Sequence, residues 1–377
     1  MNANSANTKI QPSSQPAWYA KLPYCSNDAI GRVVKVWLII GLVMIFVQVV
    51  VGGITRLTGS GLSITKWEIV TGTLPPLNEA QWEAEFELYK ATPQYQKINV
   101  NKGMDMAGFK FIYFWEYIHR LWARLMGFVF AFPFLYFWWR GKFSKELIRR
   151  LGIVFLLASL VASFGWIMVA SGLVERPWVN AYKLTLHLSL ALTLYSYLLW
   201  TTFRAFMPAD SVIHNSVLRK GISGVLVVLA IQIFLGGIMS GMKAGVFFPT
   251  WPDMNGAFVP SELLDPAEWN VNNFVEYDVS FFTNGLIQFL HRGTAYLLTI
   301  MALVYAYRVL FREKIQSLKL PTLLLISMLG IQVLLGIITV INCKGIVPVD
   351  LGVYHQAGAL LLLTIVLYNR YLLRKPA

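Results

Sequence analysis

The sequence predicts an all-α integral membrane protein, with eight transmembrane helices arranged as two pseudo-symmetric four-helix bundles (a parallel repeat) and both termini cytoplasmic. Three observations predict it. Of 377 residues, 56% are hydrophobic and 14% charged, where an ordinary soluble domain carries about 25% charged residues. Lysine and arginine crowd alternate connections between the apolar runs. And one stretch of the chain recurs, without gaps, 184 residues further on.

A run of about 20 apolar residues crosses a bilayer as a helix. Eight such runs stand at 36–53, 111–139, 151–174, 184–206, 222–242, 281–307, 320–341 and 349–368. The second, fourth and sixth are somewhat long, which leaves room for tilt or for extension beyond the lipid. The first thirty residues are polar and contain no arginine. No signal peptide is expected there, and a bacterial protein is favoured over one with a mitochondrial transit peptide. The basic clusters fall at Lys21, Arg32 and Lys35; at Arg140 to Arg150; at Arg204, Arg219 and Lys220; at Arg308 to Lys319; and at Arg370, Arg374 and Lys375. The connections between them are neutral or acidic, most clearly 244–280 with Asp253, Glu262, Asp265, Glu268, Glu276 and Asp278. By the positive-inside rule the basic side is cytoplasmic. The net charge of +13 thus encodes topology, and no nucleic-acid partner is expected. Cys25 and Cys343 fall on opposite sides and should not pair.

The repeat sets 48–76 against 232–260, with Gln48/Gln232, Gly52/Gly236, Gly53/Gly237, Ile54/Ile238, Gly61/Gly245, Trp67/Trp251, Gly72/Gly256 and Pro76/Pro260 identical. Two tryptophans among the matches argue against shared hydrophobicity alone. Each half then holds four helices, and an even number of crossings makes the halves parallel. The expected organisation is a cytoplasmic segment 1–35, a first bundle 36–206, a linker 207–220, a second bundle 221–370 and a tail 371–377.

Five histidines occur. His214 lies in the linker and reads as solvated. His119, His187, His291 and His355 each sit in an even-numbered span, a few residues after its entry from the outer side. "HR" recurs at His119-Arg120 and His291-Arg292, and "HLSLAL" matches "HQAGAL", pairing His187 with His355. Polar groups are costly in lipid, so four histidines at one depth ask for a purpose. Zinc takes three or four protein ligands, and each half offers two. Heme needs two axial ligands and an apolar cleft, which favours bis-histidine heme ligation over structural histidines. Gln48 and Gln232 read chiefly as helix-packing residues, and Glu79, Glu83, Glu85 and Glu87 as a solvated helix face.

The stretches "GGITRLTGSGLSITKWEIVTGTLPP", "FKFIYFWEYIHRLWARLMG", "WIMVASGL" and "FLHRGTAY" resemble the heme A synthase family, in particular the subgroup shared by proteobacteria-like and mitochondrial members. The similarity runs from about Leu22 to the C-terminus, and the first two motifs are highly specific. The resemblance implies an oxidoreductase of the bacterial inner membrane, with heme sites toward the outer face. It would oxidise the C8 methyl of heme O to a formyl, giving heme A for cytochrome oxidase assembly. It implies that His291 and His355 ligate the iron of a resident heme b, that His119 and His187 flank the substrate heme, and that Glu116 is catalytic. It leaves a heme O synthase, an electron donor and a second copy of the chain as partners besides membrane lipid. The cysteine pairs of a second subgroup are missing, so no thiol-dependent step is implied, and Ala123 replaces the glycine usual in "HRxWGR".

Glu116 precedes His119 by three residues, on one helical face; the matching residue before His291 is the amide Gln288. That asymmetry points to chemistry in the first half and electron transfer in the second. The alternative, a diheme electron carrier of cytochrome b type, would commonly place hemes at both membrane faces, whereas these histidines share one side.

Overall fold

The computed structural model describes residues 30–66, 74–172, 176–207 and 212–374. Cys25, Trp67, Gly72 and most of the N-terminal segment lie outside the described residues. Among the described residues ten α-helices follow in order: α1 Arg32–Leu57, α2 Glu79–Lys90, α3 Met106–Trp139, α4 Lys145–Gly172, α5 Ala181–Phe206, α6 Ser216–Met242, α7 Val271–Val275, α8 Phe281–Tyr307, α9 Gln316–Ile341 and α10 Val349–Leu372. All but α2 and α7 are long and apolar enough to cross a membrane.

Within the described residues each expected run lies on one of these eight helices, and six of the eight start earlier than hydropathy indicates. The apolar stretch marks only what matches lipid. The helix continues through charged residues such as Arg32, Lys35 and Arg149, and starts where a side chain caps it. Asp105 accepts from Gly108 N, Asn180 from Tyr182 N and Lys183 N, Asn215 from Leu218 N and Ser280 from Thr283 N. Each cap satisfies amides that the first helical turn leaves without partners. One correction follows for the linker: 216–220 is already helical in α6. His214 is exposed, as expected of a solvated residue.

In the first half α1 packs on α3 and α5, and α4 on α5; in the second α6 packs on α8 and α10, and α9 on α10. The halves meet through α5–α6, α1–α10 and α5–α10. One pairing has no counterpart. α8 packs on α9, whereas no comparable contact joins α3 to α4.

The main hydrophobic core occupies the basic end of the bundle. It draws Val34, Leu38 and Leu42 from α1, Leu194 and Leu198 from α5, Ile222 and Leu229 from α6, and Leu360 and Val366 from α10. Trp37 Nε1 donates to Val129 O at 2.8 Å and Trp122 Nε1 to Met44 O at 2.9 Å, which ties α1 to α3. At the other end, loops replace this packing. There α2 turns Phe86 and Tyr89 onto Phe109 and Tyr113 of α3, with Glu79, Glu83 and Glu87 exposed on its far face. Burial pushes the Tyr89 hydroxyl up to about 12. The main core thus lies toward the basic end, and the cavity that holds the histidines reaches down to it.

Candidate functional site

A cavity of about 1000 Å3 is lined by His119, His187, His291 and His355 together with Glu116. It runs through both halves, and its volume is at the upper end of ordinary ligand pockets. His119 and His187 lie within electrostatic reach of each other, as do His291 and His355. The structure thus brings together all five site residues expected from the sequence.

Each imidazole rests against a glycine of the neighbouring helix. A Cβ built on Gly52 would come within 3.1 Å of His119 Nε2, and one on Gly165 within 2.9 Å of His187 Cε1. On Gly236 it would meet His291 Cε1 at 3.2 Å, and on Gly336 His355 Cε1 at 3.2 Å. Flat rings fit here because the facing helix carries no side chain at that turn. The "GG" pair divides its work, since a Cβ on Gly53 would strike Gln356 of α10 and one on Gly237 would strike Thr185 of α5. The first glycine seats a histidine of its own half, and the second lets the other half approach.

Glutamines complete these seats. Gln48 Nε2 donates to His119 O at 3.1 Å, and Gln332 Nε2 donates to His355 O at 3.1 Å. Gln232 Nε2 lies 3.2 Å from His291 Nε2. Gln48 and Gln232, expected chiefly to pack helices, in fact touch the histidines or their backbone. His187 Nδ1 meets Val161 O at 3.0 Å, which fixes one ring nitrogen and leaves Nε2 for a metal. Nδ1 of His291 and of His355 is buried without a partner. Among the described residues, no three or more His, Cys, Asp or Glu are grouped to hold a metal ion. Paired imidazoles in an apolar cleft fit an iron porphyrin, which needs only its two axial positions filled.

Glu116 is 3% exposed. Its Oε2 accepts from Ser63 N at 2.7 Å, Ser63 Oγ at 2.7 Å and Ile64 N at 2.8 Å, and its Oε1 pairs with Arg120 Nη2 at 2.6 Å. The carboxylate therefore pins the loop after α1 to α3 while lining the cavity. Arg120 also donates to Ile64 O and Lys66 O. Its counterpart Arg292 donates to Phe248 O and Thr250 O, the same two loop positions moved by the repeat offset. Gln288 donates to Phe248 O at 2.8 Å. The amide is thus a donor where Glu116 is an acceptor, so the two are not a charged and a neutral copy of one contact.

Gly165, Gly336, Gln332 and the loop-clamping role of the "HR" arginines were missed in the sequence. Only the recurrence of "HR" together with the repeat offset signalled the last of these. The seats predict a clean mutational contrast. Gly165→Ala forces a contact that real Cβ atoms do not make, and overpacking of this kind costs about 1–3 kcal/mol. The His187 ring should turn off Val161 O and weaken heme binding to the first half. Gly293→Ala, with nothing within 4 Å of the new Cβ, should leave both thermal stability and heme titration at the parental values.

The model of the COX15-CtaA family, described as cytochrome oxidase assembly proteins, matches residues 35–367. A heme A synthase of Bradyrhizobium diazoefficiens is 42% identical over 337 residues, covering 89% of each chain. One from Nitrosospira multiformis is 39% identical over 352 residues, which is 92% of this chain and 95% of its own. One from Flavobacterium johnsoniae is 36% identical over 348 residues, or 92% and 99%.

Proposed function

The chain belongs to the COX15-CtaA family of cytochrome oxidase assembly proteins, and from that membership we propose that it is a heme A synthase, a membrane oxidoreductase that converts heme O to heme A. What carries the reading, beside the relatives, is a single cavity holding both histidine pairs with an acidic side chain beside only one of them. His119 and His187 ligate the substrate heme in the first bundle, and His291 and His355 hold a resident heme b in the second. The resident heme supplies one-electron transfer when bound.

The division of labour follows from the packing. α9 closes on α8 in the second half, which suits a heme that stays bound there. Between α3 and α4 no such closure exists, and Ala123, Gly127, Ala158 and Ala162 line the cavity along this gap. A substrate must enter and its product leave, so the unclosed half is the exchanging one. Oxidation of a methyl to a formyl also releases protons, and Glu116 stands beside His119 to take them or to stabilise the charge that precedes their loss. Arg120 and the Ser63 and Ile64 amides hold that carboxylate in place.

The histidines lie at the loop end of the bundle, and the charge distribution supports a site toward the outer face of a bacterial inner membrane. Accessibility tags at residues 145 and 315 should report cytoplasm and tags near 90 and 265 the outer side. A cytoplasmic tag at 265 contradicts this orientation. A pyridine hemochrome analysis of the purified protein tests the function itself. It should find heme B together with heme O or heme A in the bound fraction; heme B alone, in cells that make heme O, counts against it.

A further inference from the structure

Arg56, next to last in α1, reaches across to the second half. Its Nη2 donates to Gly241 O at 2.7 Å and Ser240 O at 3.3 Å, carbonyls in the last turn of α6. Ser240 is its own counterpart under the repeat. Capping α6 in this way accounts for one nitrogen only. Nε is buried without a partner, and among the described residues no carboxylate lies within ion-pair distance of Arg56. The side chain also lines the cavity.

The surroundings add positive charge. Lys243 adopts a left-handed backbone at φ 56 and holds Nζ 5.0 Å from the Trp178 ring. Burial pulls its ammonium below the ordinary range, and the nearby Arg56 adds to that. Asp278 is engaged by Arg176 Nη1 at 2.9 Å and Trp178 Nε1 at 2.8 Å. A buried guanidinium with no carboxylate at ion-pair distance is costly to keep, and its fork matches a carboxylate.

Gly52, the seat of His119, lies one turn before Arg56 on the same face of α1. A porphyrin held between His119 and His187 would meet lower cost with its apolar edge toward the packed core and its propionates toward the loop end, where Arg56 lines the cavity. We propose that Arg56 is a carboxylate clamp for the substrate porphyrin, receiving a propionate on its unused Nε edge while α6 holds Nη2. The proposal rests on the assignment of the first half as a ligated heme site.

The test uses the purified full-length chain in detergent, titrated with hemin and with hemin dimethyl ester, whose propionates cannot carry charge. The signal is the Soret change that disappears in His119→Ala. The parent should bind the diacid about tenfold tighter than the ester, the scale of a hydrogen bond to a charged group. Arg56→Gln should bring the two affinities close together by weakening the diacid alone, and Arg56→Lys should fall between. General loss of structure would weaken both ligands alike and preserve the ratio. If Arg56→Gln keeps the parental preference, the clamp is refuted. If the parental signal survives His119→Ala, the ligation assignment falls and takes the clamp with it.

Discussion

Glu116→Gln should stop heme A formation while leaving a folded, heme-loaded protein that accumulates heme O. Positioned acid–base groups contribute about 10²–10⁴-fold, and a loss of that size is expected in the rate of heme O consumption. The substitution does more than remove a titrating group. An amide oxygen can take the place of Oε2 before Ser63 and Ile64, but its nitrogen then faces Arg120 Nη2, now 2.6 Å from Oε1. The ion pair is lost with the charge, although Arg120 keeps Ile64 O and Lys66 O. Ser63→Ala separates the two roles. It removes one donor from the same loop pin and leaves the carboxylate in place. A catalytic Glu116 predicts that Ser63→Ala stays within a few-fold of the parent. A purely structural one predicts that Ser63→Ala resembles Glu116→Gln.

His291→Ala and His355→Ala are each expected to deplete the resident low-spin heme, because an iron with one imidazole has an open sixth position and a weaker hold on the protein. His291 rests against Gly236 of α6 and His355 against Gly336 of α9. Spectra of the purified variants should therefore show loss of heme or conversion to high spin. The His119→Ala protein should keep the resident low-spin signal, since on the proposed assignment that residue serves the other half. Unchanged heme content and unchanged spectra in both second-half variants would show that these histidines do not ligate iron.

The histidine register was legible because lipid makes polar residues rare, so four histidines at matched depth stand out against an apolar background. The eight spans were legible for the same reason, and most of their starts were not, because caps such as Asp105 and Asn215 act beyond the stretch that hydropathy detects. What seats the imidazoles was hidden. Gly165 and Gly336 look like any small residues in an apolar run, and only the crossing of two helices decides that each lies under a ring. The partners of Glu116 were hidden too, since Ser63 and Ile64 are more than fifty residues away and reach it through a loop. Gln288 shows the cost of reading shape without polarity: a residue of matching size performs the opposite hydrogen bond. The unclosed side of the first half follows from the lack of packing between α3 and α4, which no local pattern encodes.

The most direct measurement is the identity of heme extracted from cells that make heme O, lack a heme A synthase of their own and express this chain. The account predicts that heme A appears with the parent protein and that heme O alone is recovered with Glu116→Gln or His119→Ala. Recovery of heme O unchanged with the parent protein, purified with heme B bound in both halves, would contradict it and identify an electron carrier.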